Sequence, residues 1–283
     1  MSPEVISSLQ NPQVKLWRSL NKSRAARIRA GLFLAEGEHM AQEAVKERKA
    51  RALLYADSAR EKYAALTAAA GEQGVLLCEM PDRVLDALSD AKTPQGIIAV
   101  CPYPAETGLP AGASHLAALD GVQDPGNVGT ILRTLDAAGW SGLLIDDKTA
   151  DPCGPKALRA SMGGVFRVPI IRCADLPGAL RALAEDGCEI VAGDLKGAPF
   201  YQRPRAKEKL CVVIGNEGQG ISPAVMAEAT LRLRLPIPGQ AESLNAAVAG
   251  SIMIYDFLRE SLADDASCSA SSFPGEIAPS GRK

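Results

Sequence analysis

Apolar positions along the chain gather into short strand-sized runs separated by stretches of helical period. Over the first hundred residues the runs are "LFLA" (32–35), "RALLYA" (51–56), "GVLLC" (74–78) and "QGIIAVC" (95–101), with Ala, Glu and Lys-rich segments between them. That alternation predicts a small α/β domain over residues 1–102. Residues 103–113, "YPAETGLPAGA", are rich in Pro, Gly and Ala and lack any period, which predicts a linker. The rhythm then resumes more clearly, at "HLAALDG" (115–121), "GLLID" (142–146), "VFRVPII" (165–171), "EIVAGD" (189–194), "LCVVIG" (210–215) and "LRLRLPI" (231–237). Helices are expected to begin near residues 127, 153, 175 and 222. A mostly parallel sheet covered by helices on both faces follows for residues 114–262. The tail 263–283 is rich in Ser, Ala, Pro and Gly and is expected to be disordered.

Composition agrees with this picture and narrows it. The chain has 283 residues, 47% hydrophobic and 23% charged, enough for two ordinary globular domains. Its apolar runs fall far short of the ~20 residues of a membrane span, and no basic-then-apolar leader opens the sequence, so a cytoplasmic protein is expected. Seven cysteines lie far apart without a C-x-x-C pair, and His39 and His115 are the only histidines, which predicts reduced thiols and no metal site. The net charge of −2 conceals an asymmetry, because the first thirty residues carry Lys15, Arg18, Lys22, Arg24, Arg27 and Arg29 against the single acid Glu4. Such a patch can meet phosphates, or it can be a solvated helix face. Trp17 within it is open to the same two readings, an RNA contact or a core residue.

Ligands of open α/β sheets bind beyond the carboxyl ends of strands, so the turns after strands hold the candidate chemistry. In "LDGVQDPGNVGTILRT" a strand runs into a polar loop, Asn127 is placed to cap the next helix, and Arg133 lies six residues on. In "LCVVIGNEGQGIS" an apolar strand enters Gly215-Asn216-Glu217-Gly218-Gln219-Gly220. Those glycines fall at the first, fourth and sixth places, which is neither the dinucleotide fingerprint nor a P-loop. In "RLPIPGQAESLNAAVAG" the prolines exclude a central strand, Ser243 fits the N-cap, Asn245 offers an amide in the first turn, and the helix begins with small residues that let something approach closely. Alone, the first turn reads equally well as an ordinary N-cap with a surface arginine, while the second and third read better as a plain strand-helix connection and a capped helix with a small-residue packing face.

Together the three turns resemble a known set. Asn127-x-Gly129-x3-Arg133-Thr134, Gly215-x-Glu217-Gly218-x-Gly220 and Ser243-Leu244-Asn245-x2-Val248-Ala249 look like motifs one, two and three of the SpoU (TrmH-like) RNA ribose 2'-O-methyltransferases of the SPOUT superfamily. The N-terminal region, with "NPQVKLWRSLNKSRAARIRAGLFLAEGEHM" and "KTPQGIIAV", is similar to the substrate-binding domain often fused ahead of the catalytic one.

The resemblance implies a C-terminal trefoil knot and a homodimer through the knotted domain, with each site borrowing from both chains. It implies S-adenosylmethionine as cofactor, held at Gly215, Leu235 and Leu244 with Asn216 and Gly218 of the same turn as Gly215. It also implies methyl transfer to a ribose 2'-hydroxyl, with ribosomal RNA the preferred substrate. TRNA methylation, or a non-catalytic RNA-binding protein on the same fold, are the alternatives. In this reading Arg133 fixes a phosphate and stabilises developing charge, since a guanidinium stays protonated. Asn127 orients the ribose, Glu217 holds Arg133 or Asn127, and Ser243 with Asn245 completes the polar shell. Lys15, Arg18, Arg24 and Arg27 would contact RNA, and neither a metal nor a membrane is involved.

Overall fold

The structure, a computed structural model, describes residues 3–104 and 108–268. The N-terminal half contains β1 (Glu4–Val5), α1 (Pro12–Lys22), α2 (Arg24–Ala30), β2 (Leu32–Glu36), α3 (Glu38–Lys46), β3 (Ala52–Ala56), α4 (Ala64–Glu72), β4 (Leu76–Met80), α5 (Asp82–Asp86) and β5 (Ile97–Pro102). Its five strands pair in the order β1-β4-β3-β5-β2, with β5 antiparallel to both neighbours. Trp17 takes the core reading: it is 4% exposed and packs with Val14, Leu20 and Leu34.

The second half contains β6 (His115–Asp120), α6 (Pro125–Ala138), β7 (Gly142–Ile145), α7 (Pro155–Ser161), α8 (Gly164–Arg167), β8 (Ile170–Arg172), α9 (Leu176–Glu185), β9 (Glu189–Pro199), β10 (Leu210–Gly215), α10 (Pro223–Ala227), β11 (Leu231–Arg234) and α11 (Ala246–Cys268). Its six strands run β11-β9-β10-β6-β7-β8, and every pairing is parallel. Most strands are buried on both faces, which explains why they read as unbroken apolar runs rather than alternating ones.

Three expectations need correction. Residues 165–171 do not form one strand: Gly163 turns the chain at φ 88°, α8 follows, and only Ile170–Arg172 pairs in the sheet. Tertiary packing overrides strand propensity here, because the turn of α8 sets Phe166 against Phe33 of β2, ring centroids 6.0 Å apart. The second correction concerns the tail, since α11 continues six residues past Leu262 to Cys268, while residues 269–283 lie outside the described ones.

Thirdly, the two halves are not separated by a free linker at residue 103. Tyr103 donates its backbone N–H to Gly31 O (2.8 Å) and its hydroxyl to Asp151 (3.0 Å); residues 105–107 lie outside the described ones. One apolar cluster runs through both halves, joining Phe33, Ala41, Val45 and Cys101 to Leu132, Cys153 and Phe166.

Small residues set the distances between elements. A side chain at Gly129 of α6 would run into the Ala157 carbonyl and the Ala160 side chain of α7, so that glycine is what lets the two helices touch. Gly250 in α11 faces Ile214 of β10 and Ile131 of α6. The thin start of α11 thus lets it lie directly against the central strand, with side chains rather than foreign backbone as its nearest neighbours.

Arg27 is withdrawn from the surface. It is 5% exposed, its guanidinium pairs with Asp151 across the seam at 2.7 Å, and it also donates to Leu20 O. A buried cation so committed cannot serve as an RNA contact, which corrects its assignment from the basic run. Because removing one member leaves a buried charge short of a partner, Arg27→Ala should cost about 3–5 kcal/mol of stability, read as a lowered urea midpoint.

Candidate active site

The site is built from the last residue pair of two adjacent strands. Gly215 of β10 sits opposite Asp120 of β6, so the loops that follow, 216–222 and 121–124, leave the sheet side by side. Asp120 accepts from Ser222 N (2.6 Å), and Asn216 Nδ2 donates to Gly121 O (2.8 Å), which ties the loops together. Within the second loop Asn216 and Gly220 exchange backbone hydrogen bonds, and Asn216 Oδ1 accepts from Gly218 N and Gln219 N, both at 2.9 Å. Gly220 takes φ 71°, and a Cβ on Gly215 would collide with the Gly220–Ile221 backbone, so the tight turn requires both glycines.

Glu217 leaves this turn and reaches across to the first loop. Its carboxylate accepts from Gln123 N (3.0 Å), Asp124 N (3.1 Å) and Asn127 Nδ2 (2.8 Å). Burial pushes the Glu217 carboxyl up, but these donors more than offset it and leave its pKa below the ordinary value. Asn127 in turn accepts at Oδ1 from Asn245 Nδ2 at 3.0 Å. Asn245 Oδ1 accepts from Ala247 N (2.9 Å) and Val248 N (3.2 Å), so Asn245 caps α11. A single relay, Glu217 to Asn127 to Asn245, therefore joins all three turns and fixes which way each amide faces.

Two capping assignments change. Asn127 lies inside α6 rather than at its cap, and Asp124 takes that place, accepting from Gly126 N and from Asn127 N at 3.3 Å. Lys156 holds the Asp124 carboxylate at 2.9 Å and lowers its pKa. The signal was present in the sequence, since Asp followed by Pro at the first helical position marks a helix start. Likewise Ser243 is not the cap of α11; it is exposed and makes no hydrogen bond among the described residues, because Asn245 already satisfies the first amides.

Arg133 also stands apart from the relay. It is exposed on α6 without a hydrogen bond or ion pair among the described residues, and six residues of helix turn it about 120° away from Asn127. Glu217 therefore holds Asn127 and not Arg133. Next to Arg133, Thr134 Oγ1 lies 2.8 Å from Ser251 Oγ and links α6 to α11. Leu235 and Leu244 are half-buried at the two ends of a segment in which residues 235–244 make no backbone–backbone hydrogen bonds among the described residues. Apolar side chains beside open backbone N–H and C=O groups fit a flat heteroaromatic cofactor with a polar edge.

Comparison with known proteins decides the family. The SpoU rRNA Methylase family model matches residues 114–255, and the MRM3-like substrate binding domain matches residues 11–99. The chain belongs to the SpoU rRNA methylase family. It is 36% identical over 252 residues to the 23S rRNA (guanosine(2553)-2'-O)-methyltransferase RlmP of Bacillus subtilis, covering 88% of this chain and 97% of that protein. Among solved structures, the AdoMet-bound rRNA methyltransferase of Sinorhizobium meliloti has a TM-score of 0.79 at 31% identity, covering 90% of this chain and 97% of its own. The SpoU methyltransferase AviRb of Streptomyces viridochromogenes, in complex with AdoMet, reaches 0.78 at 28% identity, covering 89% and 99%. This member of the SpoU family has the mostly parallel sheet that its sequence pattern predicted, with every strand pairing parallel among the described residues, preceded by a smaller α/β unit.

The depressed Glu217 pKa has a definite sign. The relay is fully held above the unfolded carboxyl pKa, about 4.3, and is lost as pH falls through the lower folded value. Glu217→Gln should remove that acid dependence and weaken cofactor binding by titration calorimetry, since an amide cannot accept from three donors as the carboxylate does.

Proposed function

We propose that this protein transfers a methyl group from S-adenosylmethionine to a ribose 2'-hydroxyl of ribosomal RNA in the cytoplasm. The observation that carries the reading is the Glu217–Asn127–Asn245 relay, which locks three loops of separate origin around one point beyond the ends of β6 and β10. When bound, the cofactor supplies an electrophilic methyl on a sulfonium. Gly215, Asn216 and Gly218 with Leu235 and Leu244 would hold it, the leucines offering apolar surface and the 235–244 backbone offering polar groups.

The remaining work falls to side chains. A ribose hydroxyl is a poor nucleophile; its proton would pass to solvent water as the carbon–oxygen bond forms and the carbon–sulfur bond breaks to leave a neutral thioether. Asn127, its amide direction fixed from both sides, orients the sugar. Arg133 fixes the neighbouring phosphate and stabilises the charge that develops on the oxygen. Because Arg133 faces solvent in its own chain, the reading includes a homodimer in which a second copy supplies it.

Exposed Val248, Tyr255 and Leu262 support that dimer: they recur every seven residues and form one apolar stripe along α11. The threaded C-terminal knot belongs to the same reading. It is supported by the path of the chain, which leaves the edge strand β11, passes through residues 235–245 and returns as α11 against β10. Ribosomal RNA rather than tRNA is favoured by the substrate-binding module ahead of the catalytic one.

Arg133→Lys should bind S-adenosylmethionine normally by calorimetry yet lose ~10²-fold or more of its methylation rate. Wild-type turnover in that variant would remove the guanidinium from the mechanism. Mixing Arg133→Ala with Asn127→Ala chains under exchange conditions should restore activity that neither has alone. No recovery would contradict shared sites.

A further inference from the structure

The loop after β7 occupies an unusual position, clamped between the first site loop and the N-terminal half. Asp146 Oδ1 accepts from Gly121 N (3.0 Å), Thr149 N (2.9 Å) and Thr149 Oγ1 (2.6 Å), which binds this loop to the turn that leads into Asn127. From the other side Arg24 at the start of α2 reaches over and donates through Nη1 to the carbonyls of Asp147 (3.1 Å) and Thr149 (2.9 Å). Asp147 is further paired with Arg172 at 2.8 Å. Both chain neighbours of Lys148 are thus pinned.

Lys148 itself is exposed and has no hydrogen bond or ion pair among the described residues. Its stem begins against the first site loop: a Cβ built on Gly121 would stand 3.9 Å from Lys148 Cβ, and the same Cβ would be 4.0 Å from Asn216 Cβ of the second loop. Other cations near the seam are committed, Lys156 to Asp124, Arg159 to Asp90, Arg172 to Asp147 and Arg27 to Asp151.

On the N-terminal side, Lys15, Arg18 and Lys22 are exposed and lie at intervals of three and seven residues, which puts them on one face of α1. Lys22 is two residues before Arg24, the side chain that grips the Lys148 loop. A line of positive charge therefore leads from α1, over Arg24, to Lys148 beside Gly121.

We infer that Lys148 holds an RNA phosphate beside the site, other than the one gripped by Arg133, and forms the last grip of a backbone track that starts at Lys15, Arg18 and Lys22. The inference rests on the RNA methyltransferase reading above. A lysine suits this place because it brings a compact charge on a flexible stem to a base that is itself rigid. Backbone grips of this kind set register and orientation without reading sequence. Arg24, whose Nη1 is spent on two carbonyls, acts as the positioning residue for the loop rather than as a main phosphate ligand.

The test uses full-length protein, an unmodified 23S ribosomal RNA transcript and tritiated S-adenosylmethionine. Lys148→Ala should raise the KM for RNA roughly 3–10-fold. The slope of log(kcat/KM) against log salt should become shallower by about one. Cofactor affinity by calorimetry should stay at the wild-type value. Lys148→Arg should retain the wild-type slope, and Lys148→Glu should fall below the alanine variant.

A Lys148→Ala enzyme with wild-type KM and salt slope overturns the inference while leaving the methyltransferase reading intact. So does a variant whose only defect is cofactor affinity. If the wild-type protein methylates neither that transcript nor total ribosomal RNA, the underlying reading fails and the inference goes with it.

Discussion

The site depends on one carboxylate placed where two strands end together. Glu217 reaches from the turn after β10 to the loop after β6, takes two backbone N–H groups and the Asn127 amide, and through Asn127 reaches Asn245 at the head of α11. A carboxylate with several acceptor positions can serve three donors at once, which an amide cannot. Without it the first loop would keep its links to Asn216, Asp146, Ala150 and Lys156, but the side chain of Asn127 would lose the acceptor that fixes its amide nitrogen. Parallel pairing makes this possible, since Gly215 and Asp120 finish in register and both loops emerge on the same edge.

Rigidity at that edge is supplied from several directions. Asp120 and Asp146, each at the carboxyl end of a strand, spend their carboxylates on backbone and hydroxyl donors of neighbouring loops. The N-terminal half adds Arg24 and Arg27 from the opposite side, and a shared apolar cluster with the stacked Phe33–Phe166 pair prevents the halves from behaving as beads on a string. The substrate-binding half and the catalytic half are therefore held in one fixed relation, as a backbone track across the seam requires. Basic residues accordingly divide into two kinds: Lys15, Arg18 and Lys22 face solvent, while Arg27 is structural.

Much of this was legible before the fold was known. Unbroken apolar runs marked the buried parallel strands, and β2, β3, β6 and β10 begin and end within a residue or two of the runs that predicted them. Of the motif residues, Asn127, Glu217 and Asn245 meet in hydrogen bonds, while Arg133 and Ser243 stay outside them. Less legible were the local caps. Asp124 and Asn245 took the places read for Asn127 and Ser243, because several residues in each stretch can cap and only the path of the preceding loop selects one. The 165–171 run misled for a different reason, since a β-branched and aromatic segment forms a helical turn when that turn buries Phe166 against Phe33.

By itself the sequence determined the period of each element, the presence of glycine where a turn or a close helix contact leaves no room for a side chain, and the chemical identity of the groups beyond the strands. These are properties of neighbouring residues and survive without a fold. The tertiary structure alone decided which cations remain free and which are buried, because pairing Arg27 with Asp151 or leaving Lys148 unpaired depends on residues more than a hundred positions apart or on their absence. It also decided that Arg133 meets solvent: the six-residue spacing already turns it about 120° from Asn127 on α6, but which side of that helix packs inward depends on its contacts with the rest of the fold.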